Sequence, residues 1–208
     1  MMRDRPTIEC TADGPYRVRN LADLKNAQGA RLETKPVMAL CRCGGSASKP
    51  FCDGTHKTNG FSGARLADPA KDVRDSYHAD GITIHDNRSI CSHAGHCTDG
   101  LPSVFKYQQE PWIEPSGDTA EAIIATIKRC PSGALSYSRE GVEVTGQARE
   151  PSITASKDGP YEVVGGPLLL DQPRAQGAST EHYTLCRCGA SKNKPFCDGT
   201  HWSIGFTG

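Results

Sequence analysis

The sequence contains little hydrophobic and aromatic material, no long apolar run and no net charge. Hydrophobic residues make up 36% and aromatic residues 6% of the 208 positions, while Lys+Arg and Asp+Glu both number 24. The longest aliphatic run, Leu168 to Leu170, is far too short to cross a bilayer. Balanced charge argues against a nucleic-acid-binding protein, and the first residues show no apolar secretion signal. We therefore expect a cytoplasmic protein that binds neither nucleic acid nor membrane.

Catalytic motifs are also missing from the sequence. We find no Ser-His-Asp set, Walker loop, dinucleotide-binding glycine pattern or paired catalytic carboxylates, which predicts that the protein is not an enzyme. The sequence does contain ten cysteines. In a cytoplasmic protein, cysteines in such numbers more often bind metal than form disulfides.

The chain contains an internal repeat. Residues 41–56, CRCGGSASKPFCDGTH, match residues 186–201, CRCGASKNKPFCDGTH, at thirteen of sixteen positions with an offset of 145. The same offset relates Asp13-Gly14-Pro15-Tyr16 to the residues from Asp158 to Tyr161. We call residues 1–67 the first repeat, residues 150–208 the second repeat, and residues 76–149 the middle segment, and we expect each to form a domain.

Each repeat carries the pattern C-x-C-x8-C-x3-H. The candidate ligands are Cys41, Cys43, Cys52 and His56 in the first repeat and Cys186, Cys188, Cys197 and His201 in the second. Three thiolates and one imidazole suit either a tetrahedral zinc ion or an iron–sulfur cluster. We expect Asp53 and Asp198 to cap the short helix that carries the histidine. Arg42 and Arg187 either offset cluster charge or are solvated.

The run C-x-C-x8-CDGTH resembles the CDGSH iron–sulfur domain of the mitoNEET family, with Thr55 and Thr200 in place of the usual serine. This resemblance implies that the three cysteines and the histidine of each repeat bind one 2Fe–2S cluster. It also implies that the two CDGSH units form an intramolecular pseudo-twofold pair, which replaces the homodimer of other family members.

The middle segment has different sequence patterns. Ile82 and Ile84 alternate with polar residues and predict a strand over 81–85. Isoleucines at helical spacing predict a helix over 119–129, with Asp118 or Thr119 as its N-cap and Pro131 ending it. Two further short strands are predicted over 134–138 and 142–144.

A third set of cysteines, Cys91, Cys97 and Cys130, lies in the middle segment. Together with the Cys-Pro-Ser-Gly-Ala run at residues 130–134, this set resembles the divergent single-cluster ferredoxin family. Ala94 stands where a second near cysteine would be expected. The resemblance thus implies a ferredoxin-like α+β domain with a 3Fe–4S cluster. The alternative is a 4Fe–4S cluster completed by water, hydroxide, His93 or His96.

Several remaining residues show no ligand pattern. Cys10 corresponds to Ala155 in the second repeat, so we interpret it as an incidental thiol. We interpret His78, His85 and His182 as surface or core residues, and His93 and His96 as polar loop residues unless one of them completes the middle cluster.

These patterns together predict a small, β-rich α+β protein that is a monomer. We expect it to bind two 2Fe–2S clusters and one 3Fe–4S or 4Fe–4S cluster and to transfer electrons to or from a redox partner protein. One alternative is a carrier that delivers clusters to an apo iron–sulfur acceptor, or a redox or pH sensor. A further alternative is a structural module stabilised by zinc.

Overall fold

A computed structural model of the protein describes residues 5–208, and there the chain forms three four-stranded sheets with few helices. The strands are β1 (Thr7–Cys10), β2 (Tyr16–Arg19), β3 (Leu24–Lys25), β4 (Val37–Leu40), β5 (Asp75–Ala79), β6 (Ile82–Asp86), β7 (Leu135–Arg139), β8 (Val142–Val144), β9 (Ser152–Ala155), β10 (Tyr161–Val164), β11 (Leu168–Leu169) and β12 (Tyr183–Leu185). The helices are α1 (His96–Gly100), α2 (Ala120–Ile127) and α3 (Thr200–Ser203), with 3-10 turns at Thr55–Lys57, Pro69–Lys71, Arg88–Ile90 and Pro115–Gly117. The predicted small, sheet-rich α+β class is confirmed.

The two repeats exchange short strands. The sheet of the first repeat has the order β11-β1-β2-β4, and that of the second has the order β12-β10-β9-β3. β3 lies parallel to β9 with Leu24 opposite Ile153, and β11 lies parallel to β1 with Leu169 opposite Ile8. Both pairings are related by the offset of 145 residues, so each sheet is completed by a strand from the other repeat.

Two buried tyrosines contact each other across the boundary between the repeats. The rings of Tyr16 and Tyr161 lie 6.0 Å apart in an edge-to-face arrangement, and both side chains are fully buried. The Tyr16 hydroxyl donates to the carbonyl oxygen of Cys186 at 2.8 Å, and the Tyr161 hydroxyl donates to that of Cys41 at 3.0 Å. Each repeat therefore uses its tyrosine to hold the backbone of the other repeat's first candidate ligand.

The backbones of the repeats also meet directly at an isolated bridge between Cys43 and Cys188. Gly44 and Gly189 stand beside this bridge with φ angles of 76° and 80°. A Cβ atom on Gly44 would lie 2.5 Å from the carbonyl oxygen of Cys188, and one on Gly189 would lie 2.6 Å from that of Cys43. Glycine is required at both positions because the φ angle is positive and the space is filled by backbone.

The middle segment forms an antiparallel sheet of order β5-β6-β7-β8, on which α2 packs. The helix predicted over 119–129 is observed as α2, and its N-cap is Thr119, whose hydroxyl accepts from the Ala122 N–H. Ile123 and Ile127 point into the core of this segment. The three predicted strands appear as β6, β7 and β8. No helix in the described part of the chain is long and apolar enough to cross a membrane.

Replacing Tyr161 by phenylalanine tests the contact between the repeats. The change keeps the buried ring and removes the hydroxyl donor, so we expect the free energy of unfolding to fall by about 1 kcal/mol. Denaturant unfolding of the cluster-loaded protein measures this loss. Tyr107→Phe at an exposed ring is the matched control and should unfold like the unmodified protein. Equal stability of Tyr161→Phe and the unmodified protein would contradict the expectation.

Candidate metal centres

In the first repeat, the four predicted ligands form two close pairs. Cys41 directly follows β4, and its Sγ atom lies 3.9 Å from that of Cys43. The Cys52 Sγ atom lies 3.4 Å from the Nδ1 atom of His56, which belongs to the 3-10 turn Thr55–Lys57. The end of β4 and this turn therefore position one pair each.

The second repeat places its four predicted ligands in the same way. Cys186 follows β12, and its Sγ atom lies 3.7 Å from that of Cys188. The Cys197 Sγ atom lies 3.4 Å from the Nδ1 atom of His201 in α3. The two repeats therefore share their donor geometry as well as their sequence motif.

These separations fit two ligands on one tetrahedral metal ion. With metal–sulfur bonds of about 2.3 Å and metal–nitrogen bonds of about 2.0 Å, two sulfurs lie about 3.8 Å apart and a sulfur and a nitrogen about 3.5 Å apart. The donor set of each repeat thus suits two metal positions, one for each pair. Among residues 5–208, no group of three or more His, Cys, Asp or Glu side chains has the arrangement of a single-ion site.

Asp53 and Asp198 connect the loop before the third cysteine to the turn after it. Asp53 accepts from the backbone N–H groups of Thr55 at 3.0 Å and Ala47 at 2.8 Å, and Asp198 accepts equivalently from Thr200 and Lys192. The bonds to Thr55 lower the pKa of Asp53, and the bonds to Asp198 lower its pKa although burial opposes them. The N-cap positions themselves are glycines, Gly54 and Gly199, so the prediction that the two aspartates are the caps is wrong by one residue.

The solvated alternative for Arg42 and Arg187 is wrong, because both side chains are buried, with exposed fractions of 4% and 2%. The Arg187 guanidinium lies 5.6 Å from the ring centre of Tyr161 and donates to the carbonyl oxygen of Gly208 at 2.7 Å. Arg42 stacks equivalently on Tyr16. Each arginine thus holds the C-terminal end of its repeat next to its cysteine loop through a hydrogen bond to a backbone carbonyl oxygen.

Hydrogen bonding and burial set the protonation of the ligands in the second repeat. The hydrogen bond between Cys186 and Cys188 raises the pKa of Cys186 and lowers that of Cys188, so Cys188 is the thiol of this pair that loses its proton first. Burial lowers the pKa of His201. A thiolate and a neutral imidazole are the forms that bind metal.

The third cysteine set lines one cavity in the middle segment, of about 430 Å³. Cys91 follows the 3-10 turn Arg88–Ile90, Cys97 lies in α1, and Cys130 follows α2. Burial raises the pKa of Cys91 to about 12. Ala94 also lines the cavity, as expected for a residue at the position of an absent ligand.

The cavity also includes a buried carboxyl group that the sequence reasoning missed. Asp86 is 2% exposed, and its Oδ2 atom lies 3.2 Å from the Nε atom of Arg88. The Arg88 guanidinium lies 3.6 Å from the ring centre of Trp112. Burial raises the pKa of Asp86 to about 7. The alternation of Ile82, Ile84 and Asp86 along β6 is the signal that could have found it, because these residues share the buried face.

The remaining residues that were predicted not to be ligands lie in several different environments. His182 is buried against Ser179 and Glu181, and His85 is hydrogen-bonded to Ser76 and Ser138. His78 is exposed. Cys10 packs against the shared core of the two repeats. His93 and His96 lie exposed at the edge of the middle cavity.

Comparison with known proteins identifies the domains of the chain. The family described as iron-binding zinc finger CDGSH type matches residues 13–57 and 158–202. The protein named uncharacterized protein YjdI from Escherichia coli strain K12 is 36% identical over 61 residues, which cover 29% of this chain and 80% of the relative. The chain belongs to the CDGSH family. The YjdI protein of Escherichia coli O157:H7 matches this CDGSH protein equally well.

The middle segment of this CDGSH protein matches a second family, described as divergent 4Fe-4S mono-cluster, over residues 77–140. Two CDGSH domains with an iron–sulfur domain between them are therefore present, as the sequence motifs predicted, and the chain is an iron–sulfur protein. No solved structure matches the chain significantly.

The pKa of Asp86 predicts how stability depends on pH. A buried carboxyl with a folded pKa of about 7 and an unfolded pKa of about 3.9 binds its proton more tightly in the folded state. The unmodified protein should therefore lose stability relative to Asp86→Asn as the pH rises from 4 to 7, with no further change above that range. Denaturant unfolding of both proteins between pH 5 and 8.5 measures the difference. A constant difference across this range would contradict the raised pKa.

Proposed function

We propose that the protein is an electron carrier, not an enzyme, that holds one 2Fe–2S cluster in each repeat and a 3Fe–4S cluster in the middle segment. The ligands of the repeats are Cys41, Cys43, Cys52 and His56, and Cys186, Cys188, Cys197 and His201. Those of the middle segment are Cys91, Cys97 and Cys130. The observation that carries this proposal is the duplicated set of paired donors, 3.4 to 3.9 Å apart in each pair.

The mixed ligand set favours electron uptake. A 2Fe–2S cluster transfers one electron, and histidine ligation raises its potential because a neutral imidazole replaces a negative thiolate. In the second repeat, burial lowers the pKa of His201, and the hydrogen bonds of Asp198 fix the turn that presents it. The protein would therefore hold its clusters in a fixed geometry between the two redox states.

We also propose that the repeats form an intramolecular pseudo-twofold pair. The exchanged strands and the tyrosine hydrogen bonds support this arrangement, because each of them recurs with the offset of 145 residues. The Cys43–Cys188 bridge supports it as well, because it joins two equivalent positions. Residues 1–67 and 150–208 would then form the pair, and residues 76–149 a ferredoxin-like domain. Such a chain needs no second copy to complete a site, so we propose a monomer.

Two cluster types remain open for the middle segment. Three thiolates satisfy a 3Fe–4S cluster, and the position of a fourth thiolate is taken by Ala94 beside the cavity. The matched family is described by a 4Fe-4S cluster, which would need a further ligand such as His93 or His96 at the cavity edge. We propose 3Fe–4S, with 4Fe–4S as the alternative.

Analysis of iron, zinc and acid-labile sulfide tests the proposal. Two 2Fe–2S clusters and one 3Fe–4S cluster give roughly seven irons per chain, whereas a 4Fe–4S cluster gives roughly eight. We expect a coloured protein with iron and sulfide in these amounts and EPR signals that change on dithionite reduction. A colourless protein with zinc in place of iron would instead support the zinc-stabilised structural module.

The substitution Ala94→Cys tests the cluster type of the middle segment. It supplies the missing thiolate, so we expect the EPR signal of the oxidised 3Fe–4S cluster to disappear and about one iron per chain to be gained. Ala94→Ser, which adds a similar volume but a poorer iron ligand, is the control and should keep the 3Fe–4S signal. An unchanged spectrum of Ala94→Cys would argue against this position as the vacant corner.

A second candidate function is cluster delivery, favoured by the exposure of the first repeat. His56 is half-buried, whereas His201 is only 4% exposed. Mixing the loaded protein with an apo-ferredoxin distinguishes the two functions. An electron carrier should reduce and reoxidise reversibly with its clusters retained, whereas a cluster carrier should transfer its first cluster rapidly. His56→Cys should slow that transfer, since thiolate binds iron more firmly than imidazole in acid.

The partner follows from the function that this test selects. An electron carrier requires a redox partner protein, and a cluster carrier requires an apo iron–sulfur acceptor. No disulfide joins any of the ten cysteines, all of which lie in the described residues, so we propose a reducing compartment such as the cytoplasm.

A further inference from the structure

The backbone on both sides of Cys91 is hydrogen-bonded to the second repeat. The Asn193 side chain donates to the carbonyl oxygen of Ser89 at 2.7 Å, and the Trp202 indole donates to that of His93 at 3.2 Å. Ser89 and His93 each stand two residues from Cys91. Segment 89–93, which contains one ligand of the middle site, is therefore anchored at both ends.

The anchoring residues also flank ligands of the second repeat. Asn193 precedes Cys197 by four residues, and the Trp202 ring lies 5.1 Å from that of its neighbour His201. Between them, a Cβ atom on Gly199 would lie 2.5 Å from the Cδ2 atom of His93. The contact thus joins the Cys91 loop directly to the turn that carries Cys197 and His201.

The first repeat serves as an internal comparison, because its corresponding residues make a different surface. Ser48 and Lys57 replace Asn193 and Trp202. Ser48 is exposed, whereas Asn193 is buried. A Cβ atom on Gly54 would meet nothing within 4 Å. The two repeats share their candidate ligands but not the residues that bind segment 89–93.

The candidate ligands of the two repeats also differ in burial. His201 and Cys197 are 4% and 3% exposed, whereas His56 and Cys52 are only half-buried. The Cys91 loop thus covers the turn that carries His201 on its Gly199 side, whereas the matching turn at Gly54 is open.

We propose that the middle cluster and the second repeat's cluster form one electron-exchanging pair joined by segment 89–93, and that the first repeat's cluster lacks this direct connection to the middle cluster. Cys91 would hold the middle cluster, and Cys197 and His201 would hold the second repeat's cluster. In the exchange, one iron would be oxidised from ferrous to ferric in one cluster while one iron would be reduced from ferric to ferrous in the other, with no bond formed or broken and no proton moved. The initial electron comes from a one-electron donor protein. This inference rests on the proposed function, since it requires both clusters.

The test exchanges the differing residues between the repeats. Asn193→Ser with Trp202→Lys gives the second repeat the residues of the first, and Ser48→Asn with Lys57→Trp is the reverse control. Pulse radiolysis should deliver less than one electron per chain. We then expect the visible absorbance of one cluster to fall while that of the other recovers, at a rate that does not depend on protein concentration. The first variant should slow this phase several-fold, and the control should leave it unchanged. An unchanged phase in the first variant would overturn the proposal.

EPR power saturation gives a second readout, which a purely structural contact would not move. Cys52→Ala removes a ligand of the first repeat's cluster, so this variant keeps the second repeat's cluster. Cys197→Ala removes a ligand of the second repeat's cluster, so this variant keeps the first repeat's cluster. After dithionite reduction, the 2Fe–2S signal kept in Cys52→Ala should need several-fold more microwave power to saturate than the signal kept in Cys197→Ala. The reason is that a neighbouring paramagnetic cluster speeds relaxation. Equal saturation would overturn the pairing.

The outcomes separate this inference from the proposed function. A protein without iron or EPR signals contradicts the proposed function, whereas a fully loaded protein without the concentration-independent phase contradicts the pairing alone. If the double variant loses its second cluster, Gly199→Ala against Gly54→Ala repeats the test. Both changes carry similar backbone strain at φ angles of 82° and 94°, but only the Cβ at residue 199 meets His93. Equal rates in these two variants would then overturn the pairing.

Discussion

The reciprocal contact between the two repeats is the constraint on which the rest of the structure depends. Neither repeat has a complete sheet or a closed core of its own, because each receives a strand from the other and the buried side chains form one shared cluster. Tyr16 and Tyr161 meet inside that core, and their hydroxyls satisfy carbonyl oxygens in the opposite cysteine loops. Positioning of the ligands is therefore coupled to the pairing of the repeats.

This arrangement explains how a chain with few hydrophobic residues supports so many cysteines. Small domains rarely gain enough stability from apolar burial alone, and bound metal contributes binding free energy directly to folding. The loops between the ligands have little regular structure, and side chains such as Asp53 and Arg187 hold them through hydrogen bonds to backbone groups. Polar contacts and metal ligation thus take the place of a larger core.

The middle segment makes two similar sites different. It packs beside the turn that carries Cys197 and His201, while the corresponding turn of the first repeat stays open. A duplicated motif therefore need not imply a duplicated role. The second repeat's site is enclosed beside a third cysteine set, whereas Cys52 and His56 of the first repeat are half-buried.

The sequence by itself determined the repeat, the family of each domain, the candidate ligands and the position of α2, because these depend on local patterns and spacing. Only the tertiary structure decided that Arg42 and Arg187 are buried, that Asp86 lies beside the middle cavity, and that segment 89–93 contacts the second repeat. Residue spacing describes neighbours along the chain, whereas these three features arise between residues far apart in sequence. Strand exchange and burial bring these residues together only when the whole chain is folded.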